Sequence, residues 1–342
     1  MEWNGMELNG KERNGKERTG KKRKGKGRKG KKEDGTELKC EDWIETGFLD
    51  VPLPHDVISA ERSLIKSISS KPSQRAVSHS LKINTVIAEN LPELPPCHMS
   101  NKNVTWRTAM PKGIWTPGNI WKSLVCKDVG VINTDWTLKC LRNTSVWIFG
   151  DSNARLTYDV ILELTKCNKT KDLYPRAKCT KSETGLSINV LCHEGPVYIT
   201  LQRNDNFSVP NFIQKLPKNQ KHILIIQYYL HYAAAHLAVL SLRMKSLRAA
   251  IEKLLEENPN VLIGLRAPHI SPLFYDYNHA VGGDPLGPQY IHIIRERFKG
   301  LEDKVVFLDL WEMSIGIENP DYHPPQYVNL EMFKFLLSFQ CQ

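Results

Sequence analysis

From about residue 144 onward, the chain alternates short continuous apolar runs with longer segments in which apolar positions recur every three or four residues. The short runs predict buried strands, at residues 146–149, 186–191, 197–201, 223–228, 261–265 and 305–310. The periodic segments predict helices, at residues 155–166, 233–257, 289–298 and 326–339. Strands that alternate with helices predict an α/β fold with a doubly wound, mostly parallel sheet that is covered on both faces.

The apolar stretch from His222 to Leu242 is about as long as a membrane span. Gln227, His231 and His236 interrupt it, and polar side chains of this kind are costly in lipid. A strand, a turn and a helix from about residue 233 account for the same residues. We therefore predict that this stretch belongs to the α/β domain and that the chain has no transmembrane span.

The N-terminal part has almost nothing apolar to bury. Glycine recurs every five residues from Gly5 to Gly35, and residues 1–40 hold 14 Lys+Arg and 7 Asp+Glu, so they carry most of the +10 net charge. We predict a disordered basic tail that is a translated simple repeat or an incorrectly assigned start. A tail that binds nucleic acid is the alternative, but we expect no nucleic-acid partner. Residues 41–90 are predicted to be a linker or the remnant of a preceding domain, and residues 91–342 the main domain.

The segment from Cys97 to Cys126 is rich in tryptophan and lacks a clear period. Trp106, Trp115 and Trp121 predict a loop-rich flap that covers the domain rather than a layer of its core. Packing against the domain is the commoner use of such side chains, and stacking on a sugar is the alternative.

Eight cysteines and four Asn-x-Ser/Thr sequons are spread along the chain. No Cys-x-x-Cys pair occurs, so a zinc site has no support and we predict no metal. Cysteines beside several sequons favour a secreted or lumenal glycoprotein with disulfides, whose pairing stays open. The first residues are polar and charged, without a signal peptide, so we expect the natural N-terminus to be missing. The predicted glycosylation sites are Asn103, Asn143, Asn168 and Asn206.

Gly150, Asp151 and Ser152 directly follow the first strand of the predicted sheet. Because a helix follows at once, Ser152 is expected at the carboxyl end of the strand, where open α/β sheets bind their ligands. There a serine hydroxyl can point outward while backbone N–H groups at the helix start face a developing oxyanion. Ser152 is therefore a candidate nucleophile. The alternative is that Asp151 or Ser152 only caps the helix.

A serine nucleophile needs a base, and the base needs a group that orients it. His323 lies in a proline-bounded loop between the last strand and the last helix, so the topology brings it to the same edge of the sheet as Ser152. Asp321 is two residues away and is the candidate for holding the imidazole through its second nitrogen. The alternative is a surface loop with an ordinary histidine.

These motifs resemble those of the neurexophilin and PC-esterase domain (NXPE) family. Gly150-Asp151-Ser152 matches the opening motif of its C-terminal domain. The residues Asp321 to Pro325, a closing amphipathic helix and Cys341 match its end, and Pro95 to Cys97 and the Trp-rich segment match its start. The resemblance covers about residues 90–342, whereas the family's N-terminal neurexophilin-like domain is absent or reduced to a remnant. It implies an SGNH/GDSL-hydrolase-like fold whose members remove or transfer acyl groups, commonly acetyl, on glycans.

Carried over residue by residue, the resemblance makes Ser152 the nucleophile and His323 the base. The superfamily pattern is Asp-x-x-His, but Pro320 stands three residues before His323, so Asp321 is either a third member in a different geometry or the third member is lacking. Gly195 matches the oxyanion-hole glycine. No asparagine motif follows the strand at 223–228, and Gln227 or His231 is the nearest replacement donor.

The predicted function is therefore a secretory-pathway esterase or O-acyltransferase that acts on O-acyl, typically O-acetyl, groups of a glycan or glycoprotein. Hydrolysis needs no cofactor, and transfer needs an acyl donor such as acetyl-CoA. The alternative is an inactive glycoprotein that keeps the fold as a binding module. The acyl group, the glycan and the oligomeric state stay open.

Overall fold

The computed structural model describes residues 93–108, 111–168, 176–193, 208–232, 235–270, 286–319, 321 and 323–341. The predicted tail, the predicted linker and the predicted strand at 197–201 lie outside these residues, as do Gly195 and Asn206. Everything below concerns the described part.

A six-stranded sheet organises the described residues, with strand order β4-β5-β3-β6-β7-β8. Neighbouring strands from β5 to β8 run parallel, and only the edge strand β4 runs antiparallel to its neighbour. The expected α/β class with a mostly parallel sheet is therefore confirmed. The strands of this sheet are β3 (Thr144–Gly150), β4 (Arg176–Lys181), β5 (Leu186–Cys192), β6 (Lys221–Ile226), β7 (Val261–Arg266) and β8 (Val306–Leu308).

Helices cover both faces of the sheet, as predicted. In chain order they are α1 (Thr134–Cys140), α2 (Ser152–Thr165), α3 (Val209–Ile213), α4 (Leu237–Glu257), α5 (Gly287–Phe298), α6 (Leu310–Ile315) and α7 (Gln326–Leu337). The long helix α4 begins at Leu237 rather than near residue 233, because the His236 side chain accepts a hydrogen bond from the N–H of Ala238 and caps the helix there. Short 3₁₀ helices span Cys97–Met99, Lys102–Trp106 and Leu230–Tyr232.

Successive side chains of each strand point to opposite faces, so the sheet has two cores. One core packs the sheet against α2 and α7, through side chains such as Ile148, Ile225, Tyr158, Ile161 and Phe333. The other packs it against α3, α4 and α5, through side chains such as Phe149, Ile226, Leu247, Ile251 and Ile294. This two-sided burial explains why the central strands have continuous apolar sequences.

The Trp-rich segment is not merely a flap. It contains a two-stranded hairpin, β1 (Gly113–Thr116) and β2 (Ile120–Ser123), and its side chains enter both cores. Trp106 is 7% exposed, packs on Phe307 and donates its indole N–H to the carbonyl of Val305 at 2.7 Å. Trp121 is 5% exposed and belongs to the opposite core. The expectation of a covering layer is wrong here, because the two indoles are buried among the core side chains on opposite faces of the sheet.

Three disulfides join six of the seven described cysteines, as Cys97–Cys126, Cys140–Cys341 and Cys167–Cys179. The second connects the end of α1 to the segment after α7 across 201 residues. In the described part of the chain no helix is both long and apolar enough to cross a bilayer. The stretch that begins at His222 instead supplies β6, the 3₁₀ helix Leu230–Tyr232 and the start of α4.

Candidate active site

The turn from β3 into α2 places Ser152 at the carboxyl edge of the sheet. Gly150 ends the strand between two close neighbours. A Cβ at this position would lie 2.8 Å from the Cβ of Ala154 and 3.4 Å from the Cβ of Gln227. The turn therefore requires a residue without a side chain. Ser152 then begins the helix and remains half-buried, with its hydroxyl at the edge where ligands bind in open α/β sheets.

Asp151 is the N-cap of α2, so the capping alternative holds for this residue. Its carboxylate accepts the N–H of Asn153 at 2.8 Å and, with its other oxygen, the N–H of Leu230 at 3.0 Å. It thus ties the Ser152 turn to the 3₁₀ helix after β6. Burial would raise the pKa of Asp151, but His231, His193, the N–H of Asn153 and the guanidinium of Arg266 together lower it. Asp151 is a buried carboxylate that stays ionised.

Ser152 and His323 are in direct contact. The hydroxyl Oγ of Ser152 lies 2.7 Å from Nε2 of His323, although 171 residues separate them in the sequence. In the tautomer that carries its proton on Nδ1, Nε2 accepts the hydroxyl proton. A serine hydroxyl bound to an imidazole nitrogen is the arrangement that general-base activation requires.

The loop that carries His323 is held from both ends. On the N-terminal side, the amide of Asn319 donates to the carbonyl of Ile270 at 3.0 Å and to the carbonyl of Asp321. On the C-terminal side, Asn329 of α7 donates to the carbonyl of Pro325 at 3.4 Å. Because Ile270 follows β7, the loop is anchored to the same edge of the sheet that carries Ser152.

The His323 imidazole is poised to be neutral near pH 7. Burial lowers its pKa from 6.5, and the cations Arg155 and Arg266 lower it further, while Asp151 and Asp321 act in the opposite direction. A neutral imidazole can accept a proton, whereas the imidazolium cannot. The electrostatics of the loop therefore favour the base-competent form.

Asp321 lies beside His323, but its recorded hydrogen bond goes to the main chain. Its Oδ1 accepts the backbone N–H of His323 at 3.4 Å, and its side chain is exposed. Its effect on the imidazole is electrostatic, since it raises the pKa of His323. A role in orienting the ring stays a prediction.

Two of the three candidate oxyanion donors are described. Gln227 follows β6, is 1% exposed and lies next to Gly150, and neither atom of its side-chain amide has a hydrogen-bond partner among the described residues. His231 lies on the other side of Asp151, with Nδ1 4.0 Å from Sγ of Cys192 and its ring 5.3 Å from that of His193. Gln227 is thus a buried amide with unused hydrogen-bonding capacity beside the Ser152 turn.

Sequence reasoning missed Arg266, the last residue of β7. It is 1% exposed and contacts the turn that carries Ser152, because its Nη1 donates to the carbonyl of Asn153 at 3.0 Å. The sequence contained a signal for this residue. Arg266 directly follows the apolar run 261–265, just as Asp151 directly follows β3. Burial lowers the pKa of Arg266 to about 10, and Asp151 opposes that change, so the guanidinium stays charged.

Asn103, Asn143 and Asn168 are exposed, which is the accessibility that the predicted glycosylation requires. Glycosylation at these positions stays a prediction.

The sequence matches the C-terminal domain of NXPE family member 4-like proteins over residues 121–341. This match covers more than half of the chain and includes both Ser152 and His323. The chain belongs to the NXPE family. The NXPE match begins within β2 and ends at Cys341, so it contains the whole six-stranded sheet and all seven helices of the described part.

Two solved structures are similar in outline to this NXPE chain. A protein described as a GDSL-like lipase from Parabacteroides merdae aligns with a TM-score of 0.34 at 14% identity, over 57% of this chain and 97% of its own. An active-site mutant of a family two carbohydrate esterase from Clostridium thermocellum aligns with a TM-score of 0.32 at 11% identity, over 57% of this chain and 62% of its own.

Proposed function

We propose that the chain is a serine esterase or O-acyltransferase that acts on O-acyl groups, typically O-acetyl, of a glycan or glycoprotein. The observation that carries this proposal is the 2.7 Å contact between Oγ of Ser152 and Nε2 of His323 at the carboxyl edge of the sheet. Membership of the NXPE family, whose C-terminal domain gives the match, supports the same reading.

The proposed reaction has two half-reactions. Oγ of Ser152 attacks the acyl carbonyl carbon while its proton moves to Nε2 of His323. The tetrahedral intermediate collapses, the bond to the sugar oxygen breaks, and His323 returns the proton to that oxygen. The acyl-serine is then attacked by water in hydrolysis, or by another hydroxyl in transfer, with His323 again accepting the proton. The bond between Oγ of Ser152 and the acyl carbon then breaks, and His323 returns the proton to Oγ.

The negative oxygen of the intermediate needs hydrogen-bond donors that do not have to reorganise. The backbone N–H at the start of α2 is one candidate, and the side-chain amide of Gln227 is the second. Gln227 suits this role because its amide has no partner among the described residues and it packs against Gly150. Gly195 and His231 remain candidates from the sequence.

The compartment is part of the proposal. Three disulfides and exposed sequon asparagines support a secreted or lumenal protein, since disulfides persist in oxidising compartments. A glycan or glycoprotein substrate would be met in that compartment. Hydrolysis would proceed with protein side chains alone, and a transferase would require an acyl donor such as acetyl-CoA.

The test is labelling with a fluorophosphonate, which reacts covalently with activated serines. The full chain, directed into the secretory pathway by an appended signal peptide, is compared with Ser152→Ala and His323→Ala. We expect Ser152→Ala to abolish labelling and His323→Ala to slow it about 10²- to 10⁴-fold, because the base is lost. Ser241→Ala on α4 and His236→Ala at the N-cap of α4 are the matched controls and should label at the wild-type rate.

One outcome would favour the binding-module alternative. It is a wild-type protein that is folded, remains unlabelled and does not hydrolyse p-nitrophenyl acetate. The observation in favour of that alternative is the exposed Asp321, whose recorded hydrogen bond is to the main chain.

A further inference from the structure

The buried side chains of Arg266, Thr157 and Asn329 form a continuous hydrogen-bonded chain beneath Ser152. Nη1 of Arg266 lies 2.8 Å from Oγ1 of Thr157, which lies 3.0 Å from Oδ1 of Asn329. All three residues are at most 1% exposed. They come from β7, α2 and α7, so one buried chain joins three separate elements.

The two ends of this chain reach the two segments that carry the Ser152–His323 pair. At one end, Nη1 of Arg266 donates to the carbonyl of Asn153, the residue after Ser152. At the other end, Nδ2 of Asn329 donates to the carbonyl of Pro325, two residues after His323. The same set of hydrogen bonds therefore reaches the turn that carries the serine and the loop that carries the histidine.

The direction of each hydrogen bond follows from the number of protons. Nη1 carries two hydrogens, which suffice for the Asn153 carbonyl and the Thr157 hydroxyl. Thr157 has one hydrogen, and its possible acceptors are the carbonyl of Asn153 at 3.2 Å and Oδ1 of Asn329 at 3.0 Å. Oδ1 of Asn329 is the nearer of the two acceptors, so we assign the Thr157 proton to it. The donors then run in one order, from Arg266 through Thr157 and Asn329 to Pro325.

The geometry points to Arg266, Thr157 and Asn329 as positioning residues that set the distance between Oγ of Ser152 and Nε2 of His323. None of the three touches the reacting atoms in this arrangement. Each acts through the main chain of the turn or of the loop. This inference rests on the proposed function for its catalytic consequence, but the positioning itself is a property of the fold.

Thr157 gives the sharpest substitution. Thr157→Val keeps the branched shape and removes the hydroxyl, which breaks the chain at its middle link, whereas Thr157→Ser keeps the hydroxyl and is the matched control. The readout is the ¹⁵N spectrum of the imidazoles in the full chain labelled at histidine. His323→Gln assigns the His323 signals, and Ser152→Ala gives the Nε2 signal in the absence of the serine hydrogen bond.

We expect Thr157→Val to move the His323 signals toward their position in Ser152→Ala, and Thr157→Ser to leave them at the wild-type position. We also expect Thr157→Val to slow fluorophosphonate labelling about tenfold or more, because small misplacements of reacting groups cost rate. His323 signals that stay at the wild-type position in folded Thr157→Val would overturn the inference.

The ¹⁵N spectrum tests the positioning of His323 independently of the proposed catalytic function. A wild-type protein that does not label refutes the proposed function, while the movement of the His323 signals still decides whether the chain positions the pair. Should Thr157→Val not fold, Asn329→Ala breaks the link to Pro325 and is assessed by the same signals.

Discussion

Two buried cations of this protein are held in contrasting ways. Lys112, ahead of the hairpin, is 6% exposed, and its ammonium contacts two carboxylates, Oδ2 of Asp309 at 2.5 Å and Oε1 of Glu312 at 3.1 Å. Arg266 is 1% exposed, and the acceptors of its hydrogen bonds are a backbone carbonyl and a hydroxyl. Its Nε and Nη2 have no acceptor among the described residues.

We expect this difference to reflect a structural role for Lys112 and a positioning role for Arg266. Lys112 joins the Trp-rich segment to the start of α6, and opposite charges on nearby carboxylates compensate its own. Arg266 retains hydrogen-bonding capacity beside Ser152, as Gln227 does. Buried polar groups that are only partly satisfied are costly, and proteins keep them mainly where function requires them.

The largest effect on stability is expected from Lys112→Met. Removing the ammonium leaves Glu312 and Asp309 without their nearest cation, since Arg295 lies 3.9 Å from Oδ2 of Asp309, and breaking a buried ion pair costs about 3–5 kcal/mol in the free energy of unfolding. Urea denaturation measures this loss, with Lys122→Met on the exposed side of the hairpin as the control. The folded Lys112→Met protein should label with fluorophosphonate at the wild-type rate. A stability loss no larger than that of Lys122→Met would contradict the structural role of Lys112.

Arg266→Met should affect labelling more than stability, the reverse of Lys112→Met. Removing the guanidinium leaves the carbonyl of Asn153 and the hydroxyl of Thr157 without this donor, and a buried polar group left unsatisfied costs about 1–3 kcal/mol. We therefore expect a smaller loss in the free energy of unfolding than for Lys112→Met. Labelling should slow about tenfold or more, since the carbonyl of Asn153 and the hydroxyl of Thr157 lose their donor. Equal losses of stability in Arg266→Met and Lys112→Met, with labelling intact in both, would contradict the distinction.

The smallest effect concerns pH. Because the pKa of His323 is lowered from 6.5, the neutral base persists at pH 7, and the labelling rate should fall to half only below pH 6.5. Arg266 contributes to that lowering, so in Arg266→Met the decline should begin at a higher pH than in the wild type. Lys112→Met is the control and should leave the profile unmoved. A wild-type midpoint above pH 6.5 would mean that another group governs the acid limb.

The sequence was most informative where a candidate catalytic residue stands next to the end of a strand or the start of a helix. Ser152 comes directly after an apolar strand and His323 directly before the last helix, so the parallel topology alone brings them to one edge. The core-facing residues of the strands and helices were predictable because burial sets the spacing of apolar residues. A strand that is buried on both faces is apolar throughout, and a helix that is buried on one face is apolar at every third or fourth residue. The contact at 2.7 Å is consistent with that expectation of proximity.

The features that were missed depend on contacts that local sequence does not encode. The edge strand β4 is polar, and of its six residues only Cys179 is buried, so it has no apolar run to reveal it. Arg266 looks like an ordinary charged residue at the end of a strand until its partners on α2, Asn153 and Thr157, are known. Trp106 is buried in the core, where its indole N–H donates to the carbonyl of Val305, 199 residues later and directly before β8.

The disulfide between Cys140 and Cys341 also has a consequence for biosynthesis. The pair Cys97–Cys126 can close after 29 further residues, but Cys140 must wait for 201. At typical synthesis rates this delay is roughly 10 to 40 seconds. During that time the ribosome produces all six strands of the sheet, the His323 loop and α7. The bond therefore closes only around a domain whose Ser152 and His323 have both been made, and its oxidation state reports whether synthesis of the whole domain has been completed.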